Sequence, residues 1–197
     1  MKKLLKRIGI CLVLAASVWC GSLLADRQRL NDELIRFHVV ANSDSEEDQS
    51  IKLQVRDAVL NSLQNDLNKI ADVNEARAYL QAKLPQIQAV ANSVLEATGC
   101  DCEAVVTLCK EAFDTRYYDT FTLPAGIYEA LRITIGEGEG HNWWCVLFPA
   151  VCLSACTKED LSAYLDEDEV RLIENGDGYA VRFKAIEIYQ KIKENLQ

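Results

Sequence analysis

GEGEGHNWWCVLFP, residues 136–149, decides how this chain is read. Three glycines and two acids run straight into two tryptophans, a cysteine and a proline. His141, four residues before Cys145, suggests thiol chemistry. Glycine followed by an apolar run equally describes a turn feeding a buried strand. Cysteine catalysis needs a thiolate held by a nearby base and an oriented third group. If a strand starts near Trp143, about 3.3 Å per residue separates the two side chains by roughly 13 Å, beyond hydrogen-bond reach. GEGEG therefore reads as a flexible turn and WWCVLF as a strand of a sheet.

Working outward, Leu34 to Val40 reads as a second strand, with Ile35, Phe37 and Val39 on one face and Arg36 and His38 on the other. NSDSEEDQS then supplies turn formers, an N-cap and first-turn acids. Behind it Ile51, Val55, Ala58, Val59, Leu63 and Leu67 recur at helical spacing. A second helical stretch covers Asn74 to Ala97 and stops at Thr98-Gly99; Pro85 either kinks it or opens a new helix. From Cys102 the period changes to two, and Ala104, Val106 and Leu108 alternate with Val105, Thr107 and Cys109 up to about Phe113. Ile127 to Ile135 is a further strand, with Leu131, Ile133 and Ile135 inward and Glu129 as an exception. Beyond lie a short helix after Thr157, a hairpin Val170–Glu174 and Tyr179–Phe183 turning at NGDG, and a last helix from Lys184 to Leu196. Helices and strands are segregated rather than alternating, which predicts an α+β domain with a mainly antiparallel sheet and helices packed against it.

Residues 1–25 form a topological signal of their own. Lys2, Lys3, Lys6 and Arg7 precede an uncharged run from Ile8 to Ala25. Its length lies between a long signal-peptide core and a short membrane span, so it is either a cleaved signal or an N-terminal anchor. The basic flank keeps the N-terminus in the cytoplasm and sends residues 26–197 out as one exported domain. Without its four leading cations that domain holds 17 basic against 30 acidic residues, about −13. Such a surface repels nucleic acid and anionic lipid headgroups. Partners are then proteins, with the membrane touched only through an uncleaved helix.

Six cysteines follow the apolar run, an even number that permits disulfides outside the cell. A strand, a proline turn and a return segment bring Cys145 towards Cys152; Cys152–Cys156 and Cys102–Cys109 are the competing pairs. No C-x-x-C pair occurs and only two histidines exist, so neither a metal nor a cofactor is expected. Asp44, Glu46, Glu47 and Asp48 lack the glycine and glutamate a calcium loop needs, and read as a solvated helix start. Lys52 and Arg56, one turn after Asp48 and Gln49, read as ordinary helix-surface pairing.

Adjacent Trp143 and Trp144 in one strand must point to opposite faces. One fills core; the other is covered by a helix, a loop or another protein, and an exposed one is a binding anchor. Arg36 and His38 share a strand face, and Asn42, Ser43 and Asp44 follow at its end. With Glu129, Arg132 and Glu137 on a neighbouring strand they describe either a satisfied structural network or the polar site of an exported hydrolase acting on cell wall or peptide. The two differ in whether His38 and Glu129 line one cleft.

LIRFHVVANSDSEEDQSIKLQVRDAVL (34–60) and LPAGIYEALRITIGEGEGHNWWCVLFPAVC (123–152) together resemble the stage II sporulation protein R family. Phe148-Pro149-Ala150 departs from that family's usual double proline. The resemblance implies a non-enzymatic sporulation signal, made in the forespore and exported into the space between the two septal membranes. There it would activate a membrane-embedded aspartic protease that processes the sigma-E precursor. Candidate partner-binding residues are then Arg36, His38, Asn42, Ser43, Asp44, Glu129, Arg132, Glu137, Asn142, Trp143 and Trp144.

Overall fold

A computed structural model describes residues 2–117 and 122–149, together with Leu165, Val170 and Ile173. Its spine is β1 (Ile35–Val40), all six of whose residues are buried. On one side β1 pairs antiparallel with β6 (Asn142–Phe148), and on the other it pairs parallel with β5 (Gly126–Ile135). β2 (Ala104–Phe113) closes the order β2-β5-β1-β6 by pairing antiparallel with β5. The sheet is thus mainly antiparallel, and the fold α+β. The parallel pairing of β1 with β5 follows from the helices and β2 that intervene between them.

One face of the sheet is apolar for the reason the alternation gives. Ile35, Phe37 and Val39 join Leu131, Ile133, Ile135 and Leu147 beneath two helices. In α2 (Glu46–Leu67) Ile51, Val55, Val59, Leu63 and Leu67 are buried at a strict spacing of four. Ser45 caps it by accepting a hydrogen bond from the Asp48 amide at 3.1 Å, and Glu46, Glu47 and Asp48 favour the positive helix end. In α3 (Val73–Thr98) Asp72 caps the start and Gly99, at φ 73°, ends the helix in the left-handed region. Pro85 lies inside this single helix and opens no new one. Each aliphatic side chain fully buried here contributes about 1.5–3 kcal/mol.

The other face is covered at one end by a smaller cluster of Leu30, Leu34, Phe113, Leu123, Tyr128, Ala130 and Val146 with Leu165 and Ile173. Leu30 and Leu34 come from α1 (Lys2–Glu33) and its exit. The helix does not stop at Ala25; it runs on until Asn31 is buried against Gly126, the first residue of β5. Its apolar part, with mean hydropathy 2.2 and none of it buried, is long enough to cross a membrane. A short hairpin of β3 (Arg116–Tyr117) and β4 (Thr122–Leu123), not anticipated from sequence, sits beside the sheet. Val170 and Ile173, expected in a strand, are helical instead, three apart and so on one side. The helix after Thr157, the turn at 175–178, the final helix and Cys152 and Cys156 lie outside the described residues.

Candidate functional site

The face of the sheet turned away from α2 and α3 gathers the polar residues of the first motif. Pairing sets His38 opposite Arg132 on β5 and Trp144 on β6, so all three side chains share this face. β2 adds Glu111 from the far side of β5. Its carboxylate accepts from His38 Nδ1 at 2.9 Å and from Arg132 Nη1 at 3.1 Å. The His38 ring lies flat on Trp144, with centroids 3.6 Å apart and planes at 17°. Phe113 meets Trp144 edge-on at 4.8 Å, and the Arg116 guanidinium lies 5.2 Å from its ring centroid.

His38 is only 2% exposed, and burial depresses its basicity below the usual value. The Glu111 and Asn142 side chains pull the other way without reversing it. Nε2 is buried and makes no hydrogen bond to any described residue; Asn142 acts on the ring from nearby without forming one to that atom. A histidine buried neutral has a folded pKa below its unfolded pKa of about 6.5. Its contribution to stability is therefore complete above pH ~6.5 and is lost as pH falls towards the folded value. Between those two values the slope is at most one proton, about 1.4 kcal/mol per pH unit. Denaturant unfolding from pH 7.5 to 5 checks this: His38→Gln should flatten the acid limb, and an unchanged limb would refute it.

Arg36 is fully buried. Its Nε donates to the Cys145 carbonyl at 3.1 Å, and its guanidinium lies 4.5 Å from the Phe113 ring centroid and 5.3 Å from that of Tyr128. Cation–π contact and a backbone acceptor hold this cation inside the small cluster, so it is no surface contact for a partner.

Half-buried Asn42 and Ser43 and exposed Asp44 assemble a second group at the far end of β1. The turn expected to be flexible is pinned there. Glu139 and Gly140 donate backbone hydrogen bonds to the Asn42 and Ala41 carbonyls at 3.1 and 3.0 Å. Glu137 enters through its amide, which donates to Asn42 Oδ1 at 3.1 Å. Asp44 accepts from the His141 amide at 2.6 Å and pairs with the His141 ring. His141 thereby lowers the basicity of the Asp44 carboxylate, and Ser43 does the same for Asp48. Lys52 donates to the His141 carbonyl at 2.9 Å and to Gln49, while Arg56 leans on Trp143.

Glu129 and Trp143 sit on the opposite face, under the helices. Glu129 pairs with Arg77 of α3, and Trp143 meets Phe37 edge-on at 6.1 Å. His38 and Glu129 therefore line no common cleft. The tryptophans do point to opposite faces, and both are half-buried rather than exposed. Sequence reasoning missed Glu111, although alternation along β2 puts it on the face of Thr107 and Cys109. Cys102 bonds Cys100 and Cys109 keeps a free thiol, so the Cys102–Cys109 pair does not form. Cys145 is disulfide-bonded as well. Among the described residues no group of three His, Cys, Asp or Glu is placed to hold a metal.

The family model for Stage II sporulation protein R matches residues 31–158. The Stage II sporulation protein R of Bacillus subtilis (strain 168) is 43% identical over 121 residues, covering 61% of this chain and 54% of that protein. The chain thus spans about half the length of the curated relative it matches. No solved structure matches it. The matched region begins in the last turn of α1 and takes in β1, the pinned loop and β6 with both tryptophans: the chain belongs to the stage II sporulation protein R family.

Proposed function

We propose that the chain is an intercompartmental sporulation signal: exported from the forespore, it activates a membrane-embedded aspartic protease that processes the sigma-E precursor. Family membership supports a sporulation role, and the apolar α1 fits a signal or anchor. One geometric observation carries the activator reading over the hydrolase. His38 and Arg132 are both engaged by Glu111 on one sheet face, and His38 and Glu129 point to opposite sides of the sheet. On this side Trp144 is half-buried, with the Arg116 guanidinium 5.2 Å from its ring centroid, the composition of a recognition hot spot. Our partner surface is therefore this side of the sheet, with Arg132, Glu111 and Trp144 at its centre. The exposed Asp44–His141 end, with Asn142, forms its rim.

Delivery and signalling are separable in this reading. Residues 1–25 replaced by an unrelated cleavable signal peptide should still yield processed sigma-E in sporulating cells, because the last turns of α1 stay with the domain. Deleting residues 1–25 without replacement should abolish processing. If only the native segment works, the apolar helix itself touches the protease and the surface assigned here is incomplete.

A further inference from the structure

The connection from α3 to β2 carries a disulfide between Cys100 and Cys102, with a single residue between them. A cross-link gains stability in proportion to the logarithm of the loop it closes, and a sequence separation of two is about the smallest possible loop. The turn is also fixed without it. Gly99 and Cys100 donate to the Glu96 and Leu95 carbonyls at 3.1 and 3.0 Å, and Gly136 donates to the Glu103 carbonyl at 2.9 Å. The Ala104 amide donates to Asn92 Oδ1 at 2.8 Å. Opening the S–S bond leaves all four in place. Cys100 and Cys102 are half-buried, packed against the edge of the main core, between exposed Gly99, Asp101 and Glu103. Cys145 contrasts with them: it is bonded too, but lies in the core at 6% exposure.

We propose that Cys100–Cys102 is a thiol–disulfide exchange site, whose co-reactant is a protein dithiol set among basic residues. A partner thiolate attacks one sulfur of the pair, the Cys100–Cys102 bond breaks, and a mixed disulfide forms. The displaced sulfur leaves as a thiolate and takes a proton from water. The partner's second thiol then attacks its own sulfur in the mixed disulfide and releases the other cysteine of the chain. The partner dithiol has lost two electrons and two protons, and the chain's disulfide has gained them. Asp101 and Glu103 beside the sulfurs, with Glu96 a turn earlier on α3, repel an anionic thiolate and favour one carried on a cationic surface.

The test uses the full chain in detergent micelles, with its free thiols alkylated beforehand. Two probe thiols are compared at matched thiolate concentration: cysteamine, which carries an ammonium, and 2-mercaptoethanesulfonate, which carries a sulfonate. Newly opened cysteines are labelled and located by peptide mass. Cys100 and Cys102 should be labelled before Cys145, with the circular dichroism unchanged. Cysteamine should react on the order of tenfold faster at low salt, and the gap should close at about 1 M salt, where charges are screened within about 3 Å. Asp101→Asn with Glu103→Gln should narrow the gap at low salt while leaving the fold intact. Labelling that appears only with unfolding, or together with Cys145, would overturn the proposal. So would equal rates for the two probes.

Discussion

Trp144→Ala should cost about 3 kcal/mol of stability and most of the activating power of whatever protein still folds. The indole fills the sheet face between three partners: the His38 ring stacked at 3.6 Å, the Phe113 edge at 4.8 Å and the Arg116 cation at 5.2 Å. Truncation uncovers the His38 ring and removes the edge contact to Phe113. The cavity lies beside a polar network that cannot collapse into it without breaking the Glu111 contacts. Trp144→Phe keeps an aromatic face over His38 and should cost less than about 1.5 kcal/mol. Trp143→Ala also destabilises, because it strips Phe37 and Arg56 on the helix side. Assayed below its unfolding transition, that variant should still activate, since its site faces away from the assigned surface. Urea unfolding followed by activation assays at a temperature where both variants are folded separates the two roles. Equal loss of activation in Trp143→Ala would move the partner surface to the other face.

Gly140→Ala is expected to destabilise by about 1–3 kcal/mol, far more than the single methyl suggests. A Cβ at that position would lie 2.2 Å from the Ser43 carbonyl oxygen and 2.9 Å from the Ala41 side chain. The first obstacle is backbone, so no rotamer change relieves it, and the two loops must separate. Separation breaks the hydrogen bonds that the Glu139 and Gly140 amides donate to the Asn42 and Ala41 carbonyls and draws His141 off Asp44. Amide exchange at residues 139–141 should rise in the variant even where global unfolding is suppressed. Unchanged protection there would mean that the pinned loop is not what holds this end of β1.

How much of this was legible in the sequence varies with the length of each signal. Alternation fixed the two faces of β1 correctly, Arg36 and His38 on one side and Ile35, Phe37 and Val39 on the other. Helical spacing in α2 and the Thr98-Gly99 stop of α3 were equally plain, since each repeats one physical rule many times. The parallel pairing of β1 with β5 was not legible, because register between distant strands leaves no local mark. GEGEG was misjudged as flexible for the same reason. Gly136 and Gly140 serve a close approach to Ala41–Ser43, about a hundred residues away in sequence, and only the fold brings the two together. Glu129 looked like a partner of His38 because both are polar on neighbouring strands. The register places Glu129 opposite Ile35, on the other face. Glu111 went unremarked because a lone acid in an alternating strand is usually solvated; here it is the hub that joins His38 to Arg132.

The decisive measurement is cleavage of the sigma-E precursor by the reconstituted membrane protease, titrated with purified residues 26–197. An activator acts by binding one state of its target better than another, so its effect is stoichiometric and limited by that difference in affinity. Cleavage should saturate near one chain per protease. Full activation by trace amounts, abolished by His38→Ala in a still-folded protein, would contradict this and make the chain an enzyme.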